Sequence, residues 1–219
     1  MKIKRDFLLD PSLVLYLPLW KLDGAKFRSE DAYGHLATVS GASWILQGRD
    51  FDGVNDGINC GSPVSLDITK AITVAAWVKF DIVSGTDKYI AGKITPWSQG
   101  YLLSFFVPDA PSFRIVTTAG AGHPTPTAGL IAVGDWHFLV GTYDSYTGEN
   151  AIWVDGQKAG TRQTSGTLVV STNSFFIGQH PGGSNLVDGS IGEVFVYNRA
   201  LTPLEIQSNY LATKWRYQG

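Results

Sequence analysis

The chain has 219 residues, of which 44% are hydrophobic and 16% charged, with a formal net charge of −2 and a single cysteine, Cys60. These values fit one folded domain with a sizeable core and exclude an intrinsically disordered chain. They also exclude an intrachain disulfide, and they give no basic surplus that would attract nucleic acid or a membrane surface.

The first half of the chain predicts short strands separated by turns. Residues 13–19, L-V-L-Y-L-P-L, are apolar enough for a strand buried on both faces, and Pro18 places it at a strand end or a sheet edge. The polar segment 21–34 predicts an irregular connection, and residues 49–58, R-D-F-D-G-V-N-D-G-I, predict a compact acidic turn system. The clearest strand is 72–80, which is rich in β-branched and aromatic residues and contains no Gly or Pro. Further short strands are predicted at 36–39 and 43–46.

A hairpin organises the second half. Side chains alternate along 136–143 with the period of two that is typical of a strand. Residues 144–150 are turn formers, 151–154 predict a second strand, and Asp155-Gly156 is the strongest short hairpin signal. The remaining predicted strands are 89–92, 101–107, 113–118, 157–162, 168–170, 174–177 and 190–197.

Two loops and one helix complete the predicted elements. Residues 119–129 and 179–188 are polar and rich in Gly and Pro, which favours loops. The sequence T-P-L-E at 202–205 places an N-cap, a first-turn proline and an acid at the start of a helix over about 203–212. Many short strands and a single short C-terminal helix predict an all-β fold, a two-sheet antiparallel jelly-roll sandwich.

The predicted organisation is an N-terminal arm over 1–12, one jelly-roll domain over 13–212 and a C-terminal tail over 213–219. The first ten residues, M-K-I-K-R-D-F-L-L-D, lack the long apolar stretch of a secretory signal, so we expect synthesis in a cytoplasm. No segment reaches the length of a membrane span. The apolar residues of both ends are expected to pack on the sandwich or to meet another subunit.

A series of motifs follows in a fixed order along the chain. They are F-D-G-V-N-D at 51–56, I-T-V-A-A-W-V at 72–78, D-W-H-F-L-V-G-T-Y-D at 135–144, I-W-V-D-G at 152–156 and G-S-I-G-E-V-F-V-Y-N-R-A-L-T-P-L-E-I at 189–206. This series resembles the laminin-G-like group of the concanavalin A-like lectin/glucanase domains over roughly residues 13–210. The resemblance implies a jelly roll of two curved sheets. Because that group includes glycan binding, protein adhesion and domains of viral particles, the fold alone does not settle the function.

The glutamates argue against catalysis. The glucanase branch of the family has a strand with the pattern E-x-D-x-x-E, which places two carboxyl groups about 5 Å apart for retaining hydrolysis. This chain has only Glu30, Glu149, Glu193 and Glu205, and none of them lies in that pattern. We therefore interpret the protein as non-catalytic, with a glycoside hydrolase as the least favoured alternative.

Calcium is left open as a structural cofactor. Asp52, Asp56 and Glu193 lie in motifs that resemble calcium-neighbouring segments of the family, and carboxylate oxygens suit this ion. The alternative is that Asp52 and Asp56 cap turns through their own backbone. The four histidines are scattered and predict no zinc site.

Aromatic and polar residues of the loops are the candidates for ligand binding. Aromatic rings suit the C–H face of a pyranose, and the loops of a rigid sandwich are the usual place for recognition. The predicted rim consists of the loops 94–100, 119–129 and 180–188. The predicted binding residues are Trp97, Tyr101, His123, His180 and Asn185.

These observations predict a non-catalytic virion-surface protein, a capsid decoration or a tail component, that binds glycans or host-surface ligands. Segments 33–44, Y-G-H-L-A-T-V-S-G-A-S-W, and 48–56, G-R-D-F-D-G-V-N-D, resemble stand-alone phage-type versions of the family. The expected partners are other copies of the chain, a capsid or tail protein, and a glycan. The alternative is an extracellular carbohydrate-binding or adhesion module that is not associated with a virus.

Overall fold

The described part of the chain forms two antiparallel β-sheets and one α-helix, α1 (Pro203–Thr213). The structure, a computed structural model, describes residues 6–81, 87–95, 98–106, 110–123 and 131–218. The predicted all-β sandwich with one short C-terminal helix is confirmed. Within the described ranges, every helix is too short or too polar to cross a membrane.

The two sheets contain eight strands each in the described part of the chain. In chain order the strands are β1 (Leu13–Pro18), β2 (Lys26–Arg28), β3 (Leu36–Ser40), β4 (Ser43–Ile45), β5 (Gly48–Asp52), β6 (Gly57–Asn59), β7 (Ala71–Phe80), β8 (Lys88–Thr95), β9 (Gln99–Phe106), β10 (Ala110–Thr117), β11 (Gly120–His123), β12 (His137–Asp144), β13 (Glu149–Val154), β14 (Gln157–Gln163), β15 (Phe176–Ile177) and β16 (Asp188–Tyr197). Sheet 1 has the order β14-β13-β12-β7-β16-β5-β4, with β1 also paired to β16. Sheet 2 has the order β11-β10-β9-β8-β15-β6-β3-β2.

The central hairpin forms as the sequence predicts. Strands β12 and β13 pair in sheet 1, and β13 continues into β14 through a two-residue turn between Val154 and Gln157. Asp155 and Gly156 both have positive φ, 49° and 80°, which is the conformation of a type I′ turn. This turn matches the twist of the flanking strands and so fixes their register.

Four short strands lie where the sequence predicts turns or loops. They are β2, β5, β6 and β11. Each is paired to a neighbouring strand, so its extended conformation comes from the backbone hydrogen bonds between the strands and not from the local propensity of its residues. Conversely, the strand predicted at 168–170 is wrong, because there Leu168 makes only an isolated bridge to Thr117.

The main core fills the space between the two sheets. It is made of aliphatic and aromatic side chains such as Phe80, Phe105 and Leu139, all at most 1% exposed. Gly141 on β12 lies directly against Phe113 of the opposite sheet, since a Cβ at position 141 would be 2.1 Å from Cγ of that ring. The glycine therefore makes room for a large ring.

A second aromatic cluster covers the outer face of sheet 1. Trp77 on β7 stacks on Tyr217 with ring centroids 4.4 Å apart, and its indole N–H donates to Oγ1 of Thr213 at 2.8 Å. Phe7, in the short 3₁₀ segment Asp6–Leu9, meets Phe195 edge-on at 5.3 Å. Residues near both ends of the chain thus pack on the same sheet. The predicted boundaries of the arm, the domain and the tail stay a prediction.

Candidate functional site

The loop between β15 and β16 holds two of the predicted binding residues, His180 and Asn185. Its backbone closes on itself, since His180 N donates to Ser184 O at 2.8 Å and Gly183 N donates to His180 O at 2.9 Å. Asn185 has a φ of 54°, a left-handed conformation that asparagine tolerates better than most residues. The loop is therefore a compact, hydrogen-bonded unit.

The hydrogen bonds of His180 determine its tautomer. Nδ1 accepts the backbone N–H of Gly182 at 3.0 Å, which places the proton of the neutral ring on Nε2. Burial lowers the pKa of His180, which favours this neutral form. Nε2 is itself buried and has no hydrogen-bond partner among the described residues. The loop thus contains a buried N–H donor for which the described residues supply no acceptor.

Strand β8 anchors this loop to sheet 2. Tyr89 N donates to Asn185 O at 2.9 Å, and Asn185 Nδ2 donates to Asp87 O at 3.1 Å. The ring of Tyr89 meets the ring of His180 edge-on, with centroids 5.3 Å apart. We call the group of His180, Asn185, Tyr89, Asp87 and the neighbouring Arg114 the His180 loop site.

Arg114 gives this site a buried positive charge. It lies on β10, is 2% exposed, and its Nη2 is 3.8 Å from Oδ2 of Asp87. Its guanidinium also lies 5.3 Å from the ring centroid of Phe106. Burial raises the pKa of Tyr89, so the phenol stays neutral at pH 7. The site therefore combines a neutral imidazole, a neutral phenol, an amide and a paired arginine.

Three members of the His180 loop site were missed by the sequence prediction, namely Tyr89, Asp87 and Arg114. The available signal was Arg114 itself, a charged residue within the otherwise apolar strand sequence F-R-I-V. A buried arginine needs a partner, so its presence indicates a carboxylate or a ligand close by.

The other predicted binding residues do not join this site in the described part of the chain. The prediction of Tyr101 as a binding residue is wrong, because its side chain is 2% exposed, faces the core and donates its hydroxyl to Leu66 O at 3.0 Å. Its ring is therefore not available at the surface. Trp97 lies outside the described residues. His123 ends β11, and only its backbone is described.

The structure does not bring the three candidate calcium ligands together. Asp52 pairs with Asp188 across sheet 1, whereas Glu193 lies further along β16, opposite Pro18. No group of three or more His, Cys, Asp or Glu side chains converges within the described ranges. Calcium binding stays a prediction, and backbone carbonyls would have to complete its ligand set.

The two aspartates of this turn instead have local hydrogen-bond roles. Oδ1 of Asp52 accepts the N–H of Val54 at 2.8 Å, and Oδ2 of Asp56 accepts the N–H of Asp52 at 3.0 Å. Burial raises the pKa of Asp56, although the hydrogen bond from Asp52 opposes the shift. The contact of Asp52 with Val54 is that of an Asx turn, and the contact of Asp56 with Asp52 closes the turn over four residues.

Each of the four glutamates has a structural partner. Glu30 pairs with Lys21, Glu149 with Lys158 at 2.6 Å and Glu205 with Arg199 at 2.7 Å, while Glu193 accepts hydrogen bonds from Tyr16 at 2.8 Å and Trp20 at 2.9 Å. A glycosidase acid needs a raised pKa, whereas the hydrogen bonds from Arg199 lower the pKa of Glu205 to about 2. Glu205 is therefore not poised as a general acid.

His137 and Asp155 form a pair at the central hairpin. Nδ1 of His137 and Oδ2 of Asp155 are 2.8 Å apart, and Oδ1 of Asp155 accepts the N–H of Phe138 at 2.8 Å. Asp155 is the first residue of the type I′ turn, so this carboxylate ties the turn to the preceding strand. The pair therefore has a structural role at this hairpin.

The two packed antiparallel sheets define a β-sandwich. The sequence profile of a laminin G-type family, described as the concanavalin A-like lectin/glucanases superfamily, matches residues 52–207. The chain belongs to this family. A search of curated protein sequences returned no match.

Solved structures share the fold at low sequence identity. The sialidase of Trypanosoma rangeli in complex with sialic acid superposes with a TM-score of 0.67 and 20% identity, over 95% of this chain and 34% of that one. The receptor binding domain of botulinum neurotoxin C/D mosaic serotype gives a TM-score of 0.70 and 11% identity, over 91% and 51%. The binding domain of botulinum neurotoxin DC in complex with SialylT gives 0.71 and 10%, over 94% and 52%. This chain spans between a third and about half of those chains, and such identities show the fold alone.

Proposed function

We propose that the protein is a non-catalytic recognition module that binds a glycan at the His180 loop site. The observation that supports this most is the Nε2–H of His180, a buried donor without an acceptor among the described residues. A buried donor that is left unpaired raises the free energy of the protein by about 1–3 kcal/mol, so a ligand oxygen that accepts its hydrogen bond would make the complex more stable. Sugar hydroxyl and carboxylate oxygens are acceptors of this kind.

The neighbours of His180 suit a sugar as well. The half-buried amide of Asn185 donates to Asp87 O and accepts from Ser184 Oγ, which within the described ranges leaves one N–H and one lone pair for a ligand. Tyr89 is buried and supports the site from below, with its ring edge-on to that of His180. The site lies on a loop held by a rigid sheet, which limits the entropy that ligand binding would remove. Two of the solved structures with this fold are described as complexes with sialic acid and with SialylT, which agrees with a glycan as ligand.

The partners of the glutamates support the non-catalytic part of the proposal. All four glutamates of the chain are engaged in ion pairs or hydrogen bonds that hold the fold together. The resemblance to a sialidase covers 34% of that enzyme, so its activity is not transferred to this chain. Incubation with labelled glycosides should release no product.

A glycan array followed by calorimetry tests the proposal. His180→Ala and Asn185→Gly should each weaken binding of a glycan hit by about five- to tenfold, as expected for the loss of one hydrogen bond. Glycine is chosen at position 185 because it keeps the left-handed backbone. The control is Tyr146→Ala, a residue 97% exposed on a turn of sheet 1, which should bind like the wild type. Absence of any glycan binding, or wild-type affinity in both site variants, would contradict the proposal.

In its more specific form, the proposal places this module on the surface of a virus particle, as a capsid decoration or a tail component. The support comes from the sequence, whose segments 33–44 and 48–56 resemble phage-type versions of the family. The partners are then copies of the chain itself or a capsid or tail protein. Light scattering and co-sedimentation with assembled capsids test this form. A monomer that binds glycans but no capsid would instead support the extracellular adhesion module.

A further inference from the structure

Three tryptophans and an arginine from distant parts of the chain form an exposed surface at the β4 edge of sheet 1. Trp20 follows β1, Trp44 lies in β4, and Trp215 and Arg216 belong to the 3₁₀ segment Lys214–Arg216. Trp215 is 56% exposed and Trp44 39%, which is unusual for so large an apolar side chain. We call these four residues the tryptophan–arginine surface. It does not overlap the His180 loop site, which lies on sheet 2.

The indole rings of this surface are held in fixed orientations. The N–H of Trp20 donates to Oε1 of Glu193 at 2.9 Å, and the N–H of Trp44 donates to Trp20 O at 2.8 Å. The N–H of Trp215 donates to Ala212 O at 3.0 Å. Because each indole N–H is bonded within the protein, a ligand would contact these rings through the apolar surface that stays exposed, which belongs mainly to Trp215 and Trp44. Glu193 thus orients an aromatic ring.

Arg216 lies against two of these rings. Its guanidinium carbon is 3.7 Å from the ring centroid of Trp20 and 4.6 Å from that of Trp215, both within cation–π range. No hydrogen bond or ion pair joins its side chain to another residue in the described part of the chain. Stacking occupies the faces of a guanidinium and leaves its in-plane N–H groups, which fit a carboxylate or a sulfate as a fork.

We propose that the tryptophan–arginine surface binds a pyranose that carries a carboxylate or a sulfate group. The exposed indole faces match the apolar C–H face of such a ring, and Arg216 supplies the charge that an acidic substituent requires. Lys21 adds a charge next to the surface, since its Nζ lies 5.9 Å from the ring centroid of Trp20, although it is paired with Glu30. This proposal is independent of the His180 loop site.

An acidic sugar fits this surface better than an acidic peptide does. Peptides that bind a sheet usually extend it by pairing with an edge strand. The edge strand here, β4, has three residues, Ser43–Ile45, and so offers only a short template for such pairing. Stacking on fixed aromatic faces needs no backbone ladder, which favours a sugar.

Calorimetry of the full chain with four probes tests the proposal. We expect binding of a heparin-derived hexasaccharide, a hyaluronan hexasaccharide, or both, since the first carries sulfates and carboxylates and the second only carboxylates. Cellohexaose and hexaglutamate should bind at least about tenfold more weakly. Raising the salt from about 0.1 M to about 0.5 M should weaken binding of the acidic probe, because screening acts on an exposed charge.

Two variants and one control locate the site. Arg216→Gln should weaken binding of the acidic probe at least about tenfold, and Trp215→Ala, at an exposed ring, should do the same. The control is Arg162→Gln, which makes the same change of charge at an exposed position of β14 on the opposite edge of sheet 1. Thermal unfolding of each variant verifies the fold. The proposal is overturned if neither acidic sugar binds, if cellohexaose or hexaglutamate binds as well, or if Arg162→Gln has as large an effect as Arg216→Gln.

Discussion

The ion-pair network around Arg199 gives a prediction whose size follows from the structure. Arg199 donates to both carboxylate oxygens of Glu205, at 2.9 and 2.7 Å, and also contacts Asp10 and Ser12. It therefore joins the N-terminal segment to the first turn of α1, where Glu205 completes a capping box with Thr202. Replacing Glu205 by Gln removes the charge and keeps a side chain that is suited to a capping box.

The magnitude follows from the pKa of Glu205, which the Arg199 hydrogen bonds lower from 4.5 to about 2. At about 1.36 kcal/mol per pH unit, the upper limit of the stabilisation at pH 7 is about 3 kcal/mol. The side chains of Glu205 and Arg199 are 40% and 35% exposed, so solvent screening reduces the expected value to about 1 kcal/mol. Since the pKa is lower in the folded state, the stabilisation is complete above pH 4.5 and is lost as the pH falls towards 2.

Urea denaturation of the wild type and Glu205→Gln tests this prediction. The variant should be less stable by about 1 kcal/mol at pH 7, and the difference should shrink near pH 2.5. The matched control is Glu149→Gln, which removes one partner of a single exposed ion pair with Lys158 and should cost less than about 0.5 kcal/mol. Equal stability of the wild type and Glu205→Gln at pH 7, or a difference that persists unchanged at low pH, would refute the reasoning.

Three further predictions concern the core, the cysteine and the loop. Gly141→Ala should lower the free energy of unfolding, measured by thermal unfolding, by about 1–3 kcal/mol, because its Cβ would lie 2.1 Å from Phe113. The control Gly24→Ala, whose Cβ would have no atom within 4 Å, should change it by less than about 0.5 kcal/mol. Similar losses in both variants would contradict this prediction. Burial raises the pKa of the Cys60 thiol to about 12, so a thiol reagent at pH 8 should modify this residue only after the protein unfolds. Rapid labelling of the folded protein would show that Cys60 is not buried in the core. Because burial places the pKa of His180 below its ordinary 6.5, protonation should occur only as the pH falls below 6.5, and it would remove the acceptor for Gly182 N–H. Glycan affinity should therefore be constant from pH 8 to pH 7 and fall towards pH 5, and an affinity that rises on acidification would exclude the neutral-imidazole arrangement.

Local patterns in the sequence predicted the elements that local physics determines. The strand over 72–80 is β7, whose composition leaves little alternative to an extended backbone. Asp155-Gly156 adopts the positive φ values that its residue types favour, and T-P-L-E starts α1 with the expected capping box. In each case the deciding contacts lie within a few residues of one another.

The candidate sites could not be predicted in the same way, because their residues are brought together by sheet pairing. Tyr101 starts a strand that the sequence predicts, but the face of the sheet on which its ring lies depends on the register of β9, which turns it into the core. Glu193 lies in a motif that resembles a calcium-neighbouring segment of the family. The pairing of β16 with β1 places it opposite Pro18, where its carboxylate accepts a hydrogen bond from the indole of Trp20. Trp20 and Arg216 come from opposite ends of the chain, so no local pattern could show their contact.

The side-chain resonances of the four histidines provide the most direct test of a glycan at the His180 loop site. In a long-range nitrogen–proton NMR spectrum, the neutral Nε2–H tautomer of His180 should be visible at pH 7. Titration with a glycan identified on the array should shift the His180 signals saturably, while those of His137, held by Asp155 on the other sheet, stay in place. A saturable glycan interaction that leaves His180 unchanged, or a His180 ring that carries its proton on Nδ1, would contradict the account.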